Sequence, residues 1–321
     1  MKSIKRFLAC ILSLTLLLGA VSACAFAEET DEDENYETGD AALDDPRNAD
    51  GIGEKELLVV SFGTSFNDSR RLTIGAIESD LQAAFPDWSV RRAFTSQIII
   101  DHVKARDGEV IDNVHEALER AVENGVKTLV VQPTHLMHGF EYNDLKNALA
   151  EYADAFEKLV LAEPLLNIDR DFDMLAEIIV DATNDFDDGE TAIVFMGHGT
   201  EAESNEVYAG MQTVLREAGC ANYYIGTVEA EPSVEDVLKK LQDKEDYKRV
   251  VLRPLMIVAG DHANNDMAGD DDDSWKSVFE GAGYEVVCVL EGLGQLPAAR
   301  ALIVEHTREA MAAAGLEVQY E

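Results

Sequence analysis

A short β-branched run closed by proline occurs twice in this chain, as Val130-Val131-Gln132-Pro133 and as Val251-Leu252-Arg253-Pro254. A glycine follows six residues after each proline, at Gly139 and Gly260. A second correspondence aligns Val59-Val60-Ser61-Phe62-Gly63-Thr64 with Phe195-Met196-Gly197-His198-Gly199-Thr200 through the shared Gly-Thr. Such self-similarity restricts the fold to two copies of one unit. Apolar runs predict strands at 57–62, 89–94, 128–132 and 159–162, then again at 192–196, 223–227, 249–252 and 285–290. Longer amphipathic stretches, including 69–85 and 110–124, separate them with helical spacing. Alternating strand and helix implies parallel sheets covered on both faces. The predicted fold class is therefore α/β: two similar doubly wound, parallel-sheet lobes of flavodoxin-like topology facing each other across a cleft. The expected boundaries are 55–188 for the N-terminal lobe and 189–321 for the C-terminal lobe.

The residues before 55 read differently. Lys2, Lys5 and Arg6 precede an apolar stretch from Phe7 to Leu18 and then small residues, the pattern of an export signal spanning 1–23. Val21-Ser22-Ala23-Cys24 has the form of a lipoprotein box, which would lipidate Cys24 and anchor an exported, extracytoplasmic protein to a membrane. Ala25-Phe26-Ala27 offers the alternative of ordinary cleavage and release. Residues 24–54 are acidic and poor in large apolar side chains, so they are expected to form a disordered tether.

Composition excludes some functions. The formal net charge is −37, and loss of the signal's three cations makes it more negative still. Such a surface is unsuited to nucleic acid, which requires a basic footprint. Outside the export segment only Cys220 and Cys288 remain, so no disulfide scaffold is indicated.

In doubly wound sheets, ligands bind beyond the carboxyl ends of the strands. There the two halves diverge. His198 lies just past the first strand of the second half, where the first half has Phe62. Glu229 lies past the second strand, and His262 past the third, where the first half has Glu141. Three neighbouring strand ends thus deliver His, carboxylate and His, a set that holds a borderline divalent ion with positions left open. Gly197 and Gly199 flank His198 and permit close approach. The run Asp270 to Asp273 lacks the spaced oxygens of a calcium loop and is expected to be a solvated turn before Trp275.

These residues resemble the anaerobic sirohydrochlorin cobaltochelatases, a family of class II chelatases. The likeness rests on Val59 to Ser65, on Arg91-Arg92-Ala93-Phe94-Thr95-Ser96, and on the long run from Pro254 through Gly260-Asp261-His262-Ala263 to Met267. Asp272-Asp273-Ser274-Trp275-Lys276 and Gly292-Leu293-Gly294 agree with it too, so it covers about Glu56 to Ala314. The resemblance implies a chelatase-like pair of lobes related by a pseudo-twofold, with a tetrapyrrole in the cleft. It implies insertion of Co2+ into sirohydrochlorin for cobalamin biosynthesis, a lyase-class reaction needing neither ATP nor an organic cofactor. It puts the metal ligands on His198, Glu229 and His262, and the proton acceptor on His198. Metallation displaces two pyrrole protons, and a neutral imidazole suits that work. The ligand set also tolerates Fe2+ or Ni2+.

Sirohydrochlorin is rich in carboxylates, so cations in the cleft are expected to meet it: Arg92, Arg253 and Lys276, for each of which a structural ion pair is the alternative. Phe62, His135 and His138 are further candidates for contact with the macrocycle, the histidines also for an axial metal position. The expected partners are a tetrapyrrole and a divalent metal, with no nucleic acid, and membrane contact only through the lipid. A homo-oligomer is compatible with all of this. Export separates the protein from cytosolic tetrapyrrole, so an extracytoplasmic tetrapyrrole, haem or metal carrier stands as the alternative. A flavodoxin-like electron carrier lacks support, because the first strand-end loop is not a phosphate cradle.

Overall fold

The computed structural model describes residues 38–244 and 247–317. The export segment 1–23, Cys24 and the first part of the expected tether lie outside the described residues. The first half runs β1 (Lys55–Ser61), α1 (Asn67–Leu72), α2 (Ile74–Ala84), β2 (Ser89–Phe94), α3 (Gln97–Asp107), α4 (Val114–Glu123), β3 (Thr128–Pro133), α5 (Phe140–Glu151), β4 (Lys158–Leu161) and α6 (Asp169–Asp181). The second runs β5 (Thr191–Gly197), α7 (Glu206–Glu217), β6 (Tyr223–Thr227), α8 (Val234–Gln242), β7 (Arg249–Pro254), a π-helical turn (Ala263–Met267), α9 (Trp275–Gly281), β8 (Glu285–Cys288) and α10 (Pro297–Ala313).

Each half builds one four-stranded, all-parallel sheet, ordered β2-β1-β3-β4 in the first and β6-β5-β7-β8 in the second. The same order in both is the structural counterpart of the sequence repeat. The registers match as well: Val60 faces Pro133 across β1 and β3 as Met196 faces Pro254 across β5 and β7.

Strand residues alternate between two apolar layers, which is why the strands are hydrophobic at nearly every position. Leu57 and Val59 point into a core shared with Ile193 and Phe195 of the second sheet. Leu58 and Val60 point the other way, toward α4 and α5 residues such as Leu118 and Leu145. Ala192 and Val194 do likewise with Val237 and Trp275. Helix starts carry local signals: Asn113 and Glu116 form a capping box on α4, Ser233 and Asp236 one on α8, and Ser274 caps α9.

Four expectations need correction. The predicted helix 69–85 is two helices, broken at Thr73, which bends its own chain by back-bonding to the Ser69 carbonyl. Gly294 docks at that break, where a Cβ on it would sit 2.8 Å from Thr73 Cβ. Helix α3 has no predicted bounds, although the pattern around His102 within it reads as helical. The boundary between 188 and 189 separates the sheets but not the helices. Helix α10 packs back on α2, β3 and β4, while α6 packs on α7, because their apolar faces (Leu302 and Ile303, Leu175 and Ile179) enter the shared core.

The fourth correction concerns residues 38–54, which are not a free tether. They lie along β2, the edge of the first sheet, where Arg92 N–H donates to the Arg47 carbonyl at 3.2 Å. Such cover protects an otherwise open edge. Asp44 enters the interior and bonds Arg70 Nε at 2.8 Å and Arg92 Nη1 at 2.6 Å. Asp50 pairs with Arg120 at 3.3 Å, and Ser89 Oγ donates to the Ile52 carbonyl at 2.8 Å. Asp44 is thus a hook for two buried arginines, while Asp50 makes a solvent-facing pair with Arg120. Among the described residues, no helix is long and apolar enough to cross a membrane.

Candidate metal centre

His198, Glu229 and His262 come together past the C-terminal ends of β5, β6 and β7, three adjacent strands. One ligand atom from each lies within 4.8 Å of the others. Pairing of β5 with β6 continues past the strands: Val228 N–H donates to the Gly197 carbonyl at 3.0 Å and Glu229 N–H to the His198 carbonyl at 2.9 Å. That extension holds Glu229 Oε2 3.7 Å from His198 Nδ1. The His198 and His262 rings meet edge to face, centroids 4.6 Å apart. All three side chains are partly exposed, so a cation and a large substrate can both reach them.

The glycines beside His198 answer packing demands. Gly199 has φ +91°, and a Cβ there would meet the Ala230 nitrogen at 2.9 Å. A Cβ on Gly197 would overlap the ring of Tyr208, whose buried hydroxyl accepts from Gly199 N–H at 3.2 Å. His198 Nδ1 lies 2.9 Å from the Gly199 carbonyl. Since a carbonyl only accepts, Nδ1 is the donor, which in the neutral ring leaves the lone pair on Nε2.

The long loop that carries His262 is clamped from both sides. Ser69 Oγ accepts from Ala259 N–H at 3.1 Å, and a Cβ on Gly260 would meet Thr64 Oγ1 at 2.9 Å. On the other side, Leu293 N–H donates to the Met256 carbonyl at 2.8 Å and Gly294 N–H to that of Ile257 at 3.0 Å. A Cβ on Gly292 would overlap the Ile257 carbonyl. Thr64 and Ser69 on one side and the Gly292-Leu293-Gly294 run on the other therefore brace the loop, a role that spacing alone did not reveal. His262 Nδ1 lies 2.7 Å from Asp266 Oδ2. This hydrogen bond, opposed by partial burial, holds His262 above the ordinary imidazole value. Asp266 was missed in the sequence, where Asn264-Asn265-Asp266 reads as a polar loop; the signal was its four-residue spacing from His262, which helical backbone turns into a contact.

The remaining candidates divide. Phe62 sits past β1 at the position His198 takes past β5 and is 49% exposed. His138 is exposed, 3.0 Å from Asn167 Oδ1 and 3.2 Å from Glu163 Oε2. His135 follows β3; its two ring nitrogens are shielded and without a hydrogen-bond partner, and burial pushes its pKa down to about 4, so the ring is neutral. Neither histidine belongs to a potential metal cluster among the described residues.

Arg92 and Arg253 are not cleft cations. Arg92 is fully buried on β2 and held by Glu78 at 2.8 Å and by Asp44. Arg253, buried on β7, donates to Glu291 at 3.0 Å and to the Ala182 carbonyl at 3.3 Å. Strand interiors bury both, and each already has its counter-charge. Lys276 pairs with the exposed Asp270 at 2.7 Å, a solvent-facing contact that another anion can replace.

Two similar parallel-sheet lobes, the second carrying an open cluster of two histidines and one carboxylate at its strand ends, are the layout of a two-lobed chelatase. Residues 55–312 match the cobalt chelatase (CbiK) family, and the chain belongs to that family. It is 39% identical over 258 residues to a sirohydrochlorin cobaltochelatase of Salmonella typhimurium, covering 80% of this chain and 97% of the relative. It is 29% identical over 262 residues to sirohydrochlorin cobaltochelatase CbiKC of Nitratidesulfovibrio vulgaris, covering 81% and 92%. Among solved structures, SirB from Bacillus subtilis with Fe3+ is similar with a TM-score of 0.58 at 11% identity, over 83% of this chain and all of that one. CbiX, described as the terminal enzyme of sirohaem biosynthesis in denitrifying bacteria, gives 0.51 at 17%, over 80% and 99%. At those identities the likeness speaks for the fold alone. Residues 38–54 lie outside the family match.

Proposed function

We propose that this protein inserts Co2+ into sirohydrochlorin at a centre formed by His198, Glu229 and His262. The observation that carries the reading is the convergence of these three side chains, open to solvent, in a chain 39% identical to a sirohydrochlorin cobaltochelatase. Two imidazoles and a carboxylate hold the substrate cation while leaving positions for pyrrole nitrogens. As those nitrogens replace His198, its Nε2 lone pair becomes free to accept a pyrrole proton. Glu229 supplies the negative charge that offsets the dication before the macrocycle does. Phe62 offers an apolar face to the ring, and Lys276 a displaceable cation for a substrate carboxylate. Fe2+ and Ni2+ suit the same donors, and availability would choose among them. The sequence of the first 24 residues supports export and a lipid anchor at Cys24.

A second reading, an extracytoplasmic tetrapyrrole carrier, is favoured by the export-type first 24 residues; His135, neutral and unpartnered but shielded, is the ring that would have to be uncovered to serve it as an axial ligand. Anoxic spectrophotometry of sirohydrochlorin with Co2+ distinguishes the two. The chelatase reading expects accelerated metallation by the wild type and none by His198→Ala. No acceleration by the wild type, with a tetrapyrrole retained through purification and lost in His135→Ala, would favour carriage.

A further inference from the structure

The two imidazoles of the centre are held by unlike partners. His198 donates its Nδ1–H to a main-chain carbonyl, that of Gly199, at 2.9 Å. His262 donates its Nδ1–H to a carboxylate, that of Asp266, at 2.7 Å. Both partners fix the tautomer and leave Nε2 as the donor atom. Glu229 Oε2 stands 3.7 Å from His198 Nδ1, beyond hydrogen-bond reach, so only Asp266 brings a charge into direct hydrogen bonding with an imidazole, which strengthens that imidazole as a ligand and stiffens its orientation.

The local backbone is built around this contact. Residues Ala263–Met267 form a π-helical turn, a conformation concentrated at functional sites. Asn264 Nδ2 donates to the Gly260 carbonyl at 2.7 Å, and Asn265 Nδ2 to Asp261 Oδ1 at 2.6 Å, so the turn is tied on both sides of His262. The Asp266 side chain is 42% exposed, and an ion pair so exposed adds little to stability.

We propose that Asp266 is a positioning residue that makes His262 the persistent ligand of the cation, so that His198 is the imidazole that lets go when pyrrole nitrogens arrive. This rests on His198, Glu229 and His262 being the metal centre. Asp261, His262 and Asp266 also lie with ligand atoms within 4.8 Å of one another, so a role for Asp266 as a ligand of its own cation is the competing outcome.

The test combines Co2+ equilibrium dialysis, metallation kinetics and melting for the wild type, Asp266→Ala, Asp266→Asn and His262→Ala. Asp266→Ala should bind Co2+ ~10–100-fold more weakly, the usual cost of losing such a partner. The loss should enter KM for Co2+, with kcat at saturating Co2+ within about threefold of wild type. Asp266→Asn, whose amide oxygen still accepts from Nδ1–H, should recover part of the affinity, and melting should stay unchanged. Wild-type affinity in Asp266→Ala overturns the proposal. So does a fall in affinity that merely follows a fall in melting temperature. Two Co2+ per wild-type chain with one lost in Asp266→Ala makes Asp266 a ligand and overturns it as well. Unchanged Co2+ binding in His262→Ala would instead overturn the centre itself.

Discussion

Replacing Asp44 by alanine tests the docked N-terminal segment. The carboxylate is 2% exposed and serves two fully buried guanidiniums. The variant loses three charge-assisted hydrogen bonds, from Arg70 Nε at 2.8 Å and from Arg92 Nη1 and Nη2 at 2.6 and 3.2 Å. Breaking a buried pair by removing one partner costs about 3–5 kcal/mol. Here Arg70 keeps Glu109 and Arg92 keeps both oxygens of Glu78, so the lower end, about 3 kcal/mol, applies. At about 2–4 °C per kcal/mol for a chain of this size, melting should fall by roughly 6–12 °C. Asp45, 68% exposed beside Arg47, is the control, and its alanine variant should stay within about 0.5 kcal/mol of wild type. Circular-dichroism melting at neutral pH reads both. An Asp44→Ala protein that melts within about 1 °C of wild type would refute the reasoning and return residues 38–54 to a loose tether.

Other outcomes follow from the same geometry. Burial opposes ionisation of Asp44, yet Arg92 and Arg70 outweigh it and hold the carboxyl below its usual range. A depressed carboxylate stabilises above the unfolded value of about 4, so this contribution should vanish in melts as pH falls below it. Glu56 has the opposite sign: buried on β1 with both oxygens unpartnered, it is pushed up to about 7 by desolvation. Its raised value makes stability fall as pH rises from about 4.5 to 7, so Glu56→Gln should gain more in melting at pH 8 than at pH 5, by about 2.5 kcal/mol in relative terms. Equal gains at both would contradict that. Gly197→Ala should overpack Tyr208, cost about 1–3 kcal/mol and shift His198, lowering metallation more than Ser204→Ala, a change at the nearby helical turn.

Much of this molecule was legible in its sequence because a repeated β/α pattern leaves little choice of topology. Parallel strands with a fixed order put residues just past three strands side by side, which is why His198, Glu229 and His262 could be grouped without any short motif. What pattern conveys poorly is depth. Arg92 and Arg253 read as cations for a substrate, but a strand interior turned them inward to Glu78, Asp44 and Glu291. The acidic stretch before residue 55 read as solvated because its apolar residues are few, and the hold of Asp44 on two distant arginines is not a local signal. Helix α3, whose residue His102 reads as helical, has no predicted bounds because Ile98, Ile99 and Ile100 run consecutively and blur its amphipathic spacing. Asp266 was overlooked because Asn264-Asn265-Asp266 read as a polar loop; once the segment is helical, the four-residue spacing from His262 sets the two side chains on one face.

The most direct test of the centre is cobalt K-edge X-ray absorption on Co2+-loaded protein before tetrapyrrole is added. With His198, Glu229 and His262 as ligands, the wild type should show scattering from two imidazoles with the remaining shell made of oxygen. His262→Ala and His198→Ala should each bring the imidazole count to one. An all-oxygen shell in the wild type, or a spectrum unchanged by either substitution, would contradict the assignment and place cobalt elsewhere in the fold.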